Sequence, residues 1–204
     1  MTSWLLRQGV VDIVFSAGYL GDQIENWVAT LPLAEGLRVV SRREQSPLGT
    51  GGALLACLGE CQDLILVVNG DTLLLADLAP IVSRLQGDQL DGLILGVPVA
   101  DASRFGTLVL GDNGLLRTFT EKKPGAGIAN GGVYLLRKAV LQRFLPVHRM
   151  SLELDLLPEL LAGGTQIGVD ALQSPFLDIG IPETLATADD FVTANRIYLG
   201  GLGL

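Results

Sequence analysis

The amino-acid sequence predicts one α/β domain: a mixed, mostly parallel sheet covered on both faces, with a β-rich insertion in its second half. Three observations predict it. Short β-branched runs alternate with helix-like stretches through the first half of the chain. A turn-rich segment in the middle reads as a hairpin rather than a helix. Of the 204 residues, 49% are apolar and 18% charged, enough to fill a sizeable core and too apolar for a disordered chain.

Taken in order, Met1–Gly9 reads as the end of a helix closed by Gly9. Val10–Ser16 (VVDIVFS) is a β-branched run suited to a buried strand, followed by a helix near Asp22–Ala29 and a short strand at Leu37–Ser41. Thr50–Glu60 is a helix entered through a glycine-rich turn, and Leu64–Asn69 (LILVVN) is a central strand expected to share a sheet with Val10–Ser16. Asp77 is placed to cap a helix reaching Leu85, and Leu93–Val99 is the next strand. Strands and helices in strict alternation are the mark of a parallel sheet with helices on both faces. Thr107–Leu110 and Leu115–Thr120 then flank the Gly111–Gly114 turn as a hairpin. A strand at Gly132–Leu136 and a helix from Lys138 to Phe144 follow. Ser151-x-Glu153 opens a helix that Pro158 should kink or break. Gln166–Val169 and Phe176–Ile179 are short strands, and Pro182 starts a helix running from Glu183 to Tyr198. With no internal repeat and no linker-like stretch, residues 1–204 read as a single domain.

Composition excludes several functions. Fourteen basic against 22 acidic side chains give a net charge of −8, which offers no basic face to a nucleic acid. No apolar run approaches the roughly 20 residues needed to span a bilayer, so no membrane partner is expected. The N-terminus lacks a signal-peptide pattern, and a cytoplasmic location is expected. Cys57 and Cys61 share a helical face; they read as two small packed side chains in a reducing compartment rather than as a metal or redox pair. His148, the single histidine, sits in a Pro-Val-His-Arg turn and reads as solvated. Chemistry must therefore run on Asp, Glu, Lys, Asn and backbone amides.

Four segments place glycine or a polar residue where predicted strands end, the position at which open α/β sheets bind ligands. Pro47-Leu48-Gly49-Thr50-Gly51-Gly52 leads into a helix, where glycines allow close backbone approach and the helix N-terminus favours anions. Alone, such a run marks a tight turn more often than a ligand loop, and no Gly-Lys-Ser/Thr follows to make it a Walker loop. Asn69-Gly70-Asp71 sets a carboxylate at a strand tip, suited either to a divalent cation or to a turn. Asp178, in Phe176-Leu177-Asp178-Ile179-Gly180, is a second carboxylate that could converge on the same ion. Glu121-Lys122-Lys123-Pro124 and Asn130-Gly131-Gly132 supply partners for a polyol and its phosphate, although the first, taken alone, is more often a solvated turn than a site.

In this order, PLGTGGAL, VVNGD, EKKP, NGGVYLL, SLELDLLPEL and FLDIGIPE resemble the sugar-phosphate nucleotidyltransferases. The likeness is greatest to those acting on D-glycero-α-D-manno-heptose 1-phosphate, with mannose-1-phosphate guanylyltransferases and glucose-1-phosphate thymidylyltransferases as relatives. The resemblance runs from residue 1 to about residue 195 and implies a Rossmann-like nucleotide-diphospho-sugar transferase fold. It implies that Glu44, Pro47, Leu48, Gly49, Thr50, Gly51 and Gly52 line the nucleobase pocket, with Asn69 and Gly70 on the nucleotide side. Asp71 and Asp178 would hold a catalytic Mg²⁺. Glu121 and Lys122 would bind the sugar and its phosphate, Lys122 also serving catalysis. Asn130 and Gly131 would meet sugar hydroxyls, and Gly106 would let the chain approach the sugar. The implied reaction joins a sugar 1-phosphate to a nucleoside triphosphate, GTP by likeness, with release of pyrophosphate in a pathway to a surface polysaccharide.

The sequence departs from this family in one respect. A first strand followed by Gly-Gly-x-Gly-Thr-Arg and Pro-Lys-Pro, the cradle of the triphosphate, has no counterpart. The expectation is a chain lacking its N-terminal βα unit, inactive or impaired as it stands, with an apolar gap that promotes self-association into homo-oligomers. The alternative is a non-catalytic sugar-nucleotide-binding or oligomerising subunit.

Overall fold

The computed structural model describes residues 1–32, 35–120 and 122–199. Helix α1 (Thr2–Arg7) ends before Gly9, whose φ of +79° only a glycine adopts without strain. Strand β1 (Asp12–Ala17) leads to α2 (Gly21–Thr30), whose Trp27 packs edge-on against Phe15. Strand β2 (Arg38–Arg43) precedes α3 (Gly49–Ala56) and a 3₁₀ turn at Leu58–Glu60. Strands β3 (Leu64–Val68) and β4 (Thr72–Leu74) are followed by α4 (Ala79–Gly87) and β5 (Gly92–Val99). The expected hairpin is β6 (Thr107–Leu110) and β7 (Leu116–Thr120), and β8 (Gly127–Arg137) is the long central strand. Helix α5 (Lys138–Leu141) continues as a 3₁₀ turn, and a π-helical turn at Leu152–Leu156 precedes α6 (Leu157–Ala162). Ser151 caps that turn by accepting from Leu154 N, and Pro158 opens α6, so the expected break falls where the proline demanded it. Strands β9 (Ile167–Ala171) and β10 (Phe176–Asp178) follow. The final helical region is three short pieces, α7 (Pro182–Leu185), α8 (Ala188–Ala194) and α9 (Arg196–Leu199), rather than one helix. Among the described residues no helix is long and apolar enough to cross a membrane.

The α/β class holds, with two corrections to the sheet. Parallel pairing is confined to β1–β2 and β5–β9, while β8 runs antiparallel to β3, β5 and β6. The sheet is therefore mixed but not mostly parallel, because the β-rich half returns its longest strand through the middle. Among the described residues β1 and β3 also lie in different sheets, β1 pairing with β2 and β3 with β8. Each of these two strands has one unpaired edge among the described residues.

Alternation along the central strands fills both faces. Ile94, Tyr134 and Leu136 join the core under α3, α5 and α6, whereas Leu93, Leu95, Val133 and Leu135 join the core under α1 and α4. Trp4, 1% exposed, anchors α1 by donating from Nε1 to the Ala76 carbonyl at 3.0 Å.

Cys57 and Cys61 are both free thiols, and burial raises the pKa of each above its ordinary value of 9.0. Alkylation at pH 8 is expected to be at least about 10-fold slower in the native protein than in urea. The same shift means that the thiols favour folding below the ordinary thiol pKa and cease to as pH rises through the raised one. Native and unfolded rates that match would refute this burial.

Candidate functional site

The site begins where β8 changes neighbours. Along one edge β8 pairs continuously with β5 except at a bulge, where Leu95 faces Val133 but Gly96 faces Asn130. Gly131 and Gly132 are the residues left over. On the opposite edge, β8 pairs with β6 before this bulge and with β3 after it. The bulge thus marks a fork between β6 and β3, the kind of crevice in which open sheets bind ligands. A side chain on Gly131 would stand 2.6 Å from Leu74 Cδ2, and Gly132 has a φ of +68°, so both positions require glycine. The Asn69 amide donates to the Gly132 carbonyl at 2.8 Å, which pins the Asn69-Gly70-Asp71 turn to the bulge.

The two candidate metal aspartates converge at this fork. Strand β4 follows Asp71 directly and pairs antiparallel with β10, setting Thr72 opposite Asp178. Ile179 N donates to the Asp71 carbonyl at 2.8 Å, which brings the two strand ends together. Asp178 Oδ1 lies 3.0 Å, and Asp71 Oδ2 3.5 Å, from the point a Cβ on Gly180 would occupy. Their separation is bounded by the sum of those distances, below the ~8 Å beyond which two carboxylates cannot share an ion with ~2.1 Å bonds. Glycine at position 180 keeps that space clear. Among the described residues neither carboxylate forms an ion pair. Two hard oxygen donors, with no cluster of three or more His, Cys, Asp or Glu among the described residues, suit Mg²⁺ completed by water and phosphate oxygens and do not suit tetrahedral zinc.

The glycine-rich turn is built differently from the sequence expectation. A Cβ on Gly49 would lie 2.5 Å from the Met150 carbonyl oxygen, and one on Gly52 would lie 2.6 Å from that of His148. The Gly51 and Gly52 amides both donate to the Met150 carbonyl, at 3.0 and 3.2 Å. These glycines admit the backbone of residues 148–151 rather than opening onto solvent, and Gly51 and Gly52 are buried with their amides engaged. Pro47, Gly49 and Thr50 remain exposed and Leu48 is half-buried, so the first part of the turn is the part open to solvent. Glu44 Oε2 accepts from the Leu48 amide at 3.0 Å, which shapes the turn from its near side.

The remaining candidates lie on the insertion side. The Asn130 amide donates to the Gly106 carbonyl at 2.9 Å, but a Cβ on Gly106 would stand 2.1 Å from Phe119 Cζ. Packing against the Phe119 ring by itself requires glycine at this position. Lys122 is exposed just beyond β7, whose Thr120 pairs with Thr107, itself opposite Ala129. Glu121 lies outside the described residues.

Two side chains at the site were not singled out by sequence reasoning. Tyr134, fully buried, donates to Glu153 Oε1 at 2.8 Å and accepts from Asn130 Nδ2 at 2.5 Å. Glu153 Oε2 accepts from Thr50 Oγ1 at 3.2 Å. Burial, and then the Glu153 charge, raise the Tyr134 pKa well above 10.0. A tyrosine inside an apolar strand and a glutamate in a helix start read as core and surface. The one available signal was Tyr134 recurring at the same alternation as the core residues while carrying a hydroxyl that must find a partner.

Residues 20–195 match the family described as Nucleotidyl transferase. The chain is 29% identical over 181 residues to the D-glycero-alpha-D-manno-heptose 1-phosphate guanylyltransferase of Aneurinibacillus thermoaerophilus, covering 88% of this chain and 77% of that protein. Against the mannose-1-phosphate guanylyltransferase catalytic subunit beta of Xenopus tropicalis it is 27% identical over 202 residues. That alignment covers 96% of this chain but 54% of the relative, so the chain spans about half the length of that protein. The crystal structure of HddC from Yersinia pseudotuberculosis complexed with GMP-PN superposes with a TM-score of 0.79 at 33% identity, over 93% of this chain and 82% of that one. The first two relatives are named sugar-1-phosphate guanylyltransferases, and the third shares the fold. The chain belongs to the nucleotidyl transferase family.

Proposed function

We propose that this chain carries the sugar-phosphate side of a guanylyltransferase site, using a heptose or mannose 1-phosphate, GTP and Mg²⁺. The observation that supports it most is the facing pair Asp71 and Asp178 across Gly180, beside the bulge that carries Asn130. In this reading the two carboxylates hold Mg²⁺, which when bound neutralises charge on the triphosphate. Lys122 orients the sugar phosphate, with Glu121 and Asn130 on sugar hydroxyls. Glu44, Pro47, Leu48, Gly49 and Thr50 form one wall of the nucleobase pocket. A sugar-phosphate oxygen attacks the α-phosphorus in line, forming one P–O bond as the bond to pyrophosphate breaks. The attacking oxygen is already ionised, so no general base is needed and positioning carries the rate.

A second reading, binding without turnover, is favoured by the absence of a Gly-Gly-x-Gly-Thr-Arg loop from these 204 residues. Of the two arginines ending β2, Arg42 is paired with Glu60, whereas Arg43 lies 4.0 Å from Glu25 and stays largely exposed. The test is pyrophosphate release from each nucleoside triphosphate with a panel of sugar 1-phosphates, alongside calorimetric binding of the same sugars. Weak sugar-phosphate binding with turnover lowered by a factor of ~10²–10³ or more is expected, since one lost preorganised charge partner alone has that effect. Absence of any sugar-phosphate binding would overturn the proposal.

A further inference from the structure

We propose that Tyr134 and Glu153 are positioning residues: one buried hydrogen-bonded chain fixes the Asn130 side chain and ties it to Thr50, setting the two sides of the site together. The assignment of Asn130 to the sugar and of Thr50 to the nucleotide rests on the function proposed above; the chain of bonds does not.

In a regular strand, residues four apart share a face but are separated by ~13 Å. Asn130 and Tyr134 are four apart on β8, yet Nδ2 and the phenol oxygen are 2.5 Å apart. The bulge at Gly131 and Gly132 makes this contact, which gives the two glycines a purpose beyond the turn itself. The directions of the bonds follow from counting protons. A carboxylate only accepts, so the phenol proton goes to Glu153 Oε1, leaving the phenol oxygen to accept from Asn130 Nδ2. Asn130 Oδ1 accepts from the Gly132 amide at 3.1 Å. A flipped Asn130 amide would set an acceptor against a phenol oxygen with no proton to give, and a donor against the Gly132 N–H. One rotamer therefore survives, with its second Nδ2 proton available to a ligand hydroxyl. At the other end, Glu153 Oε2 accepts from Thr50 Oγ1 and Ser151 Oγ, both at 3.2 Å, and Thr50 Oγ1 accepts from the Leu152 amide at 2.8 Å. The chain runs from a half-buried Asn130 to an exposed Thr50 through a tyrosine with no solvent access.

The test reads hydrogen exchange of the Asn130 side-chain amide by NMR in the ¹⁵N-labelled chain and in Tyr134→Phe, Glu153→Ala and Glu153→Gln. Exchange in the unaltered chain should be slow, and should accelerate about 10-fold in Tyr134→Phe and Glu153→Ala, the equivalent of one hydrogen bond. Glu153→Gln, which can still accept from Tyr134 and donate to Thr50, should restore protection. The same samples are then titrated with α-D-mannose 1-phosphate. Tyr134→Phe should weaken its binding about 10-fold, and should add nothing in an Asn130→Ala background, a readout that mere loss of stability would not give. An Asn130 amide that exchanges freely in the unaltered chain, or additive effects of the two substitutions, would overturn the inference. Slow exchange with no response of any resonance to the sugar phosphate would uphold the positioning chain and overturn the proposed substrate.

Discussion

Asp71→Asn and Asp178→Asn are each expected to lower Mn²⁺ affinity at least ~10-fold, and any nucleotidyl transfer by ~10²–10³-fold, without loss of the fold. The two carboxylates approach one point above Gly180 with no cationic side chain paired to either among the described residues. In the absence of a cation they repel each other, so neutralising one should leave thermal stability unchanged or raise it by up to about 1 kcal/mol. Both asparagines can keep the local contacts, since the bonds from Thr72 Oγ1 to Asp71 and from the Gly180 amide to Asp178 require only an acceptor. Mn²⁺ titration followed by electron paramagnetic resonance, with melting curves on the same samples, separates the two effects. Unchanged Mn²⁺ binding in both variants would refute the metal role.

Gly49→Ala is expected to destabilise the protein by about 2–4 kcal/mol, combining the strain of a left-handed backbone with a clash in a packed turn. Its φ is +71° and its added methyl would stand 2.5 Å from the Met150 carbonyl oxygen, a backbone atom that cannot swing aside. Gly9→Ala supplies the control: φ is +79° but nothing lies within 4 Å, so only the backbone term of about 1 kcal/mol applies. Urea denaturation of the two variants measures the difference directly. Equal losses would mean that Gly49 is not needed for packing, and would return the glycine-rich turn to a purely ligand-facing role.

The sequence alone disclosed the chemistry at strand ends better than the sheet joining them. Asn69-Gly70-Asp71, Asp178-Ile179-Gly180 and Asn130-Gly131-Gly132 were legible because glycine beside a carboxylate or amide at the end of an apolar run breaks local patterning. Strand direction was not legible: LILVV and GVYLL both read as apolar strands whether their neighbour runs parallel or antiparallel, and the hydrogen bonds that decide it join distant residues. The glycines of Pro47–Gly52 illustrate the same limit. Their freedom was visible, but what they make room for, the backbone of residues 148–151, lies about half the chain away. Tyr134 and Glu153 escaped notice because their roles exist only after the bulge and the π-helical turn bring them together.

The unpaired edges of β1 and β3 divide the chain's cooperativity. Opening the β1–α2–β2 unit breaks no hydrogen bond of the main sheet. It is held to the rest by Ile13 and Val39 in the shared apolar cluster, and by Arg38 and Arg42 reaching Glu60 ahead of β3. Partly exposed ion pairs weaken as salt rises, whereas apolar contacts do not. The unit is thus expected to open as a separate foldon whose attachment weakens with ionic strength, taking the Glu44 side of the glycine-rich turn with it while the Asp71–Asp178 fork stays intact.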